Sequence, residues 1–191
     1  MSKKLLILAL LIFVKNGFCQ DYQEILAKHR ENYIKETHER FPEQKQDFFE
    51  VNTDFKFAAK YKHPKHPETI SIPTSGVKIK DFTEFAIVTF KYSGKKYKIT
   101  TYRQSPIQPM YKNLVFVLFK DLTAPKDTYG GGRYMDMDTG DFVDGKVILD
   151  FNKAYNPYCA FSDGWNCPIP PPQNHLKLRI EAGEKVPLTG H

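Results

Sequence analysis

The spacing of apolar residues changes from a helical period to a strand period along the chain, and this change limits the possible folds. A helical pattern extends from Asp21 to Arg40 and ends at Pro42. From Phe55 to Lys62, apolar residues alternate with lysines, as in a strand with one buried face. Further strand patterns follow at 84–91, 96–102, 114–119, 146–151 and 176–180. We therefore predict a single antiparallel β-rich domain, a sandwich or a partly open barrel, with one N-terminal helix packed on it.

Residues 1–19 have the organisation of a secretory signal peptide. Lys3 and Lys4 precede ten apolar residues, Leu5 to Val14, and Gly17 and Cys19 suit cleavage before Gln20. The apolar run is shorter than the roughly 20 residues that cross a bilayer. We predict that residues 20–191 form one domain that is exported to the periplasm or the extracellular space, without a transmembrane segment. The alternative is a lipoprotein anchored at Cys19.

The charge of the chain bears on its partners. Signal cleavage removes three lysines, so 25 basic residues against 22 acidic ones leave a net charge of +3 instead of +6. Nucleic-acid-binding domains carry a stronger and clustered basic excess, whereas the basic residues here are spread among acids. We therefore expect a solvated surface of mixed charge and no nucleic-acid partner.

Two cysteines, Cys159 and Cys167, remain after cleavage, in a compartment where disulfides persist. A zinc site normally takes four ligands with tight spacing, and His175 is the one further candidate nearby. A disulfide is therefore favoured over free thiols or a metal site, and it would stabilise the fold by about 2.5 kcal/mol. No metal and no cofactor are predicted.

Glycine, asparagine and proline are concentrated between Thr128 and Glu184, where a hydrophobic core has no need of them. The triple glycine at 130–132 precedes Arg133, so its backbone N–H groups and the guanidinium could bind an anion. The pattern lacks the Lys-Ser/Thr pair of a P-loop. The alternative is a tight turn, with Arg133 paired to a carboxylate such as Asp136.

Three short polar side chains, Asp150, Asn152 and Asn156, lie at the end of the strand pattern at 146–151 or just after it. Such residues often hold turns by bonding the local backbone, while Asp150 is also a candidate for a general base. Asn174 and His175 follow the proline-rich connector at 168–172 and could reach the same place if the disulfide folds the loop back. We predict a ligand-binding patch that consists of Arg133, Asp136, Asn152, Asn156, Asn174 and His175.

Several motifs of this block resemble a known family. They are Tyr129-Gly130-Gly131-Gly132-Arg133-Tyr134, Asp150-Phe151-Asn152, Tyr155-Asn156-Pro157-Tyr158-Cys159-Ala160 and Cys167-Pro168-Ile169-Pro170-Pro171. Over residues 114–184 the chain resembles the bacterial family called domain of unknown function 1684. The resemblance implies an exported or envelope-associated protein without an assigned activity, and it transfers no catalytic residue.

Three functional hypotheses remain open: two of them assign a site to the polar patch, and in the third the block only stabilises itself while the protein acts through its helix or an exposed edge strand. The first is a non-enzymatic binding or accessory domain whose polar patch contacts a small molecule or an envelope component. The alternative is a hydrolase or isomerase that uses Asp150 and His175 as an acid–base pair, which requires the two side chains to approach within one water molecule beside a pocket.

Overall fold

The computed structural model describes the backbone of residues 3–189 and the side chains of residues 21–189. The chain divides into two compact units, Met1–Pro42 and Glu43–His191. The first contains one helix, α1 (Lys3–Arg40), which ends before Pro42 because a proline ring cannot continue it. This helix begins upstream of the predicted start at Asp21. The side chains of the predicted signal peptide at 1–19, including Cys19, lie outside the described residues.

The second unit is built on a seven-stranded antiparallel sheet that curls into a half-barrel. The strands follow the order β6-β5-β4-β3-β1-β7, and β2 also pairs with β3. The predicted class, mostly antiparallel β with one N-terminal helix, is confirmed. The strands are β1 (Lys56–Lys62), β2 (Thr69–Pro73), β3 (Ile79–Tyr92), β4 (Lys95–Ser105), β5 (Leu114–Phe119), β6 (Arg133–Asp138) and β7 (Lys146–Asp150).

The long hairpin of β3 and β4 organises the sheet. Its turn is Ser93-Gly94, with φ of 46° and 75° at the two residues, as the strand twist of a two-residue hairpin requires. On its other side, β3 pairs with β2 through residues 79–83 and with β1 through residues 87–89. Two short strands therefore share one edge of β3.

The strand predictions differ from the structure at three places. Strands β2 and β6 were not predicted, because β2 is short and ends in proline and β6 includes two exposed aspartates. The predicted strand at 176–180 is wrong, since this segment forms no ladder and makes one isolated bridge nearby, between Lys120 and His175. Its backbone bonds to the segment that follows β5: Leu178 O accepts from Leu122 N, and Ile180 N donates to the Asp121 carboxylate.

Phe151 lies at the centre of the core inside the curled sheet. Its ring centroid is 6.0 Å from that of Phe57, 5.6 Å from that of Phe90 and 5.1 Å from that of Phe119. Phe119 ends β5 and Phe151 follows β7, and three strands separate β5 from β7 in the sheet. Because rings from distant strands meet, burial of apolar surface holds the half-barrel curled.

Candidate functional site

Arg133 is buried at the start of β6, where it holds the C-terminal segment. The side chain is 1% exposed. Nη1 donates to Ala182 O at 2.5 Å and to Glu184 O at 3.1 Å, and Nη2 donates to Ile180 O at 3.0 Å. The carbonyls of Ile180, Ala182 and Glu184 thus accept from one side chain the hydrogen bonds that a neighbouring strand would otherwise donate.

The carboxylate partner of Arg133 is Asp121 and not the predicted Asp136. Arg133 Nη2 lies 3.2 Å from Asp121 Oδ1, and both side chains are 1% exposed. Burial lowers the pKa of the Arg133 guanidinium, and the adjacent Asp121 carboxylate opposes that effect. Asp121 also accepts from the Thr123 hydroxyl and from Ile180 N. Removing one member of such a buried pair typically costs about 3–5 kcal/mol, because the other charge is left uncompensated.

Asn174 is fully buried and replaces part of the ladder between β4 and β5. These strands pair at Tyr102 and Phe116, and the same register would place Thr100 opposite Leu118. Instead, Asn174 Oδ1 accepts from Thr100 N at 2.8 Å, while Nδ2 donates to Thr100 O at 2.8 Å and to Leu118 O at 2.7 Å. One amide therefore bridges two strands at a point where their backbones diverge.

Asn152 and Asn156 make similar long-range contacts with the main chain. Asn152 exchanges two bonds with Asn52: its Oδ1 accepts from Asn52 N at 2.9 Å, and its Nδ2 donates to Asn52 O at 2.8 Å. Asn156 Nδ2 donates to Lys185 O at 2.7 Å, and Asn156 N donates to Glu184 Oε2 at 2.6 Å. Both asparagines and Glu184 are almost fully buried, so their polar groups connect distant segments inside the domain.

Asp136 and His175 are the exposed members of the predicted patch. The Tyr155 hydroxyl donates a hydrogen bond to Asp136 Oδ1, with 2.9 Å between the two oxygens. Burial raises the pKa of the Asp136 carboxyl and the bond from Tyr155 opposes this, but the exposed surface of the residue allows water to screen both effects. His175 Nε2 lies 3.0 Å from Pro170 O.

The patch residues do not all converge on one point. Asp136 is opposite Phe116 in β5, whereas His175 bridges to Lys120, which lies four residues further along the chain. At the rise of a strand, four residues span about 13 Å. Asp136 and His175 therefore belong to separate parts of the surface around β5.

The side chain of Asp150 takes part in local bonding at the end of β7. Its Oδ1 accepts from the backbone N and from Nδ2 of Asn152, both at 3.1 Å, which caps the turn at Phe151–Lys153. His175 bonds instead to the carbonyl of Pro170. In the described part of the chain, no hydrogen bond of the His175 ring to Asp150 is formed.

The predicted disulfide between Cys159 and Cys167 is present, with 6.3 Å between the two Cα atoms. The loop that it closes contacts the turn after β2. The Ser75 hydroxyl lies 2.8 Å from Cys159 Sγ, and Ser75 N donates to Cys167 O at 2.9 Å. Ile169 N also donates to Pro73 O at 2.9 Å. The disulfide loop and the proline-rich connector are thereby tied to the end of β2.

The triple glycine forms a tight turn in which Gly132 N donates to Tyr129 O at 3.0 Å. Gly132 has φ of +91°, and a Cβ there would lie 2.6 Å from Pro170 Cγ. Gly183 is similarly constrained, with φ of +78°, and a Cβ there would lie 2.7 Å from both Phe151 O and Ala154 O. Both positions need glycine, because any other residue would have a strained backbone at this positive φ and a Cβ that clashes with a neighbouring atom.

Most of these residues were predicted from the sequence, but three of their partners were not. Asp121, Thr123 and Glu184 complete the buried network, and they were not predicted as members of a site. The available signal was an acid, Asp121, two residues after the apolar run Leu114–Phe119 and directly before Leu122. Among the described residues, no group of three or more His, Cys, Asp or Glu side chains is arranged to hold a metal ion. Within residues 21–189, no helix is both long and apolar enough to span a membrane.

Comparison with known proteins gives a family and a structural relative. Among curated proteins, none matches the chain. The solution NMR structure of an uncharacterized protein from gene locus rrnAC0354 of Haloarcula marismortui is similar, with 28% identity and a TM-score of 0.67. The similarity covers 89% of this chain and 97% of the other. The family described as "Protein of unknown function (DUF1684)" matches residues 44–185, which takes in the sheet as well as the C-terminal motifs. Since this match spans more than half of its length, the chain belongs to the DUF1684 family.

Proposed function

We propose that this protein is an exported, non-enzymatic binding or accessory domain. The observation that supports this proposal is the use of the polar residues in the C-terminal block. Arg133, Asn152, Asn156 and Asn174 are buried and direct their hydrogen bonds to main-chain atoms of distant segments. A catalytic site instead presents such groups to a substrate.

In this proposal the polar patch has two parts with different roles. The four buried residues hold the loops in place, and the exposed Asp136 and His175 contact the ligand from the surface. Because about 13 Å of strand separates the positions of these two residues along β5, a ligand that touches both must be extended. An envelope component with several polar groups fits this requirement better than a compact metabolite.

Thermal unfolding in the presence of defined envelope molecules tests the binding role. The panel contains phospholipid headgroups, cell-wall glycan fragments and divalent cations. A ligand of the patch should raise the Tm of the wild type, and the double variant Asp136→Asn/His175→Gln should lose most of that rise. The matched control Asp144→Asn/His66→Gln makes the same chemical changes at exposed positions elsewhere and should retain it.

The same preparations test whether the protein is an enzyme. Each molecule that shifts the Tm is incubated with the protein, and the products are followed by mass spectrometry. We expect no turnover. Turnover that disappears in both Asp150→Asn and His175→Gln would contradict the proposal and support an acid–base mechanism.

The predicted export has its own test. The mass of the protein recovered from an expressing bacterium should correspond to a chain that begins at Gln20, in the fraction outside the cytoplasm. A chain that keeps its first nineteen residues in the cytoplasm would contradict export, and a lipid mass on Cys19 would support the anchored form.

A further inference from the structure

The outer face of the central strands carries rows of lysines. Ala59, Val88, Ile99 and Val147 point into the core, so the residues that alternate with them face outward. The antiparallel registers align these outward residues across four strands. One row is Lys146, Lys60, Thr89 and Lys98, on β7, β1, β3 and β4.

Further lysines extend this row in both directions along the strands. Lys91 and Lys96 are direct partners in the β3–β4 hairpin, two residues from Thr89 and Lys98. Lys62 follows Lys60 on the same face of β1. All six lysines are exposed. At the usual strand spacing, the array is about 15 Å across. We call this array the lysine face: Lys60, Lys62, Lys91, Lys96, Lys98 and Lys146.

Two pairs of like charges stand directly opposite one another on the lysine face. Lys60 is the register partner of Lys146, and Lys91 is that of Lys96. Like charges at such positions destabilise a sheet. Four ion pairs, formed by Arg133, Arg179 and Lys185, are resolved in the described part of the chain, and none of them includes a residue of the lysine face. The repulsion is therefore not offset by an acidic side chain in an ion pair.

The chemistry of the lysine face distinguishes between anionic partners. A protein that binds single-stranded nucleic acid places aromatic side chains among its cations so that bases can stack. The outward residues between these lysines are Ala58, Ile87, Thr89 and Ile148, and none is aromatic. Lysine is also a hydrated point charge, without the paired donors of arginine that recognise individual phosphates.

We propose that the lysine face docks the protein on an anionic phospholipid surface. The six charges lie within roughly two Debye lengths of one another at physiological ionic strength, so they act together on a charged plane. Ile148, which is 52% exposed beside them, adds apolar contact with the interface. This surface is separate from Asp136 and His175, and the inference does not depend on the proposed role of those residues.

Vesicle co-sedimentation tests the inference with protein purified in the form that host cells export. The vesicles contain phosphatidylcholine, either alone or with about one third phosphatidylglycerol. The wild type should bind the mixed vesicles, and the binding should disappear in pure phosphatidylcholine or in about 0.5 M NaCl. A lysine near an anionic surface contributes about fivefold in partitioning, so Lys60→Gln/Lys98→Gln should weaken binding about 25-fold.

The control Lys126→Gln/Lys177→Gln removes the same charge from exposed positions off the lysine face, and it should bind within about twofold of the wild type. All variants share one N-terminal sequence, so any contribution of that segment cancels. Absence of binding to the mixed vesicles would overturn the inference, as would equal loss in both double variants. Tighter binding to a single-stranded oligonucleotide than to vesicles at equal phosphate concentration would also overturn it. Failure here would leave the ligand contacts of Asp136 and His175 untouched, because neither variant alters them.

Discussion

Replacement of Asn174 by alanine removes the amide that joins β4 to β5. The change leaves Thr100 N, Thr100 O and Leu118 O without their side-chain partner. Thr100 is 9% exposed and Leu118 is fully buried, so water cannot replace the lost bonds without opening the sheet. Each buried group that loses its bond costs about 1–3 kcal/mol. Allowing for partial relaxation, we expect Asn174→Ala to lower the free energy of unfolding by about 3–5 kcal/mol.

Equilibrium unfolding in urea measures this loss, and amide exchange locates it. Gln173→Ala is the matched control, since Gln173 precedes Asn174 in the same turn, is exposed, and makes one side-chain bond, to Tyr102 Oη. We expect the control to cost less than about 1 kcal/mol. In Asn174→Ala, exchange at Thr100 N should accelerate more than exchange within the β3–β4 hairpin turn. A loss below about 1 kcal/mol with unchanged exchange at Thr100 would refute this account of Asn174.

Three further predictions concern the local structure. Gly183→Ala places a side chain at a positive φ and close to main-chain oxygens, whereas Gly94 has a similar φ but open space around it. Gly183→Ala should therefore lower the free energy of unfolding by about 2 kcal/mol more than Gly94→Ala. Equal losses in urea unfolding would show that the close approach is unimportant. Cys159→Ser/Cys167→Ser should lower the free energy of unfolding by about 2.5 kcal/mol. A reductant should lower the free energy of unfolding of the wild type by the same amount and leave that of the variant unchanged. Burial raises the pKa of Asp136 above its ordinary 3.8, so the folded state holds this proton more tightly than the unfolded chain, and this contribution to stability is lost as pH rises through the raised pKa. Asp136→Asn should abolish that part of the pH dependence, which lies above pH 3.8, and identical pH profiles of the two proteins would contradict the upward direction of the shift.

Local patterns were sufficient to predict several elements from the sequence. The run Leu114–Phe119 is a strand with the bounds that its continuous apolar composition indicates. The alternation near Phe57 correctly predicts β1, because one buried face imposes a period of two. Ser93-Gly94 identifies the hairpin because glycine adopts the positive φ of its turn without strain and serine is common in turns.

Long-range pairing could not be predicted in the same way. Asn152 and Asn52 are 100 residues apart, and Asn174 and Thr100 are 74 apart. A single sequence shows that these asparagines suit irregular structure, but it does not show which distant backbone they bond. The segment 176–180 did not form a strand for this reason: Leu176 and Leu178 bond the main chain just after β5, and the side chains of Arg133 and Asp121 bond Ile180.

The lysine face could not be predicted from the sequence for the same reason. Along the chain, lysines alternate with apolar residues in β1, and other lysines flank the turn of the β3–β4 hairpin. The sequence therefore suggested a surface of mixed charge. The registers of β1 with β7 and of β3 with β4 bring these lysines together on one side of the sheet. The clustering of charge therefore follows from strand pairing, and the net charge of +6 gives no information about it.

The asparagines of the C-terminal block connect distant segments inside the fold. Hydrogen exchange of their side-chain Nδ2 protons, followed by NMR, measures whether these contacts persist in solution. For Asn152, Asn156 and Asn174 we expect protection close to that of backbone amides in β3 and β4, whereas the exposed Asn113 should exchange rapidly. Exchange of the three amides as fast as that of Asn113 would contradict the claim.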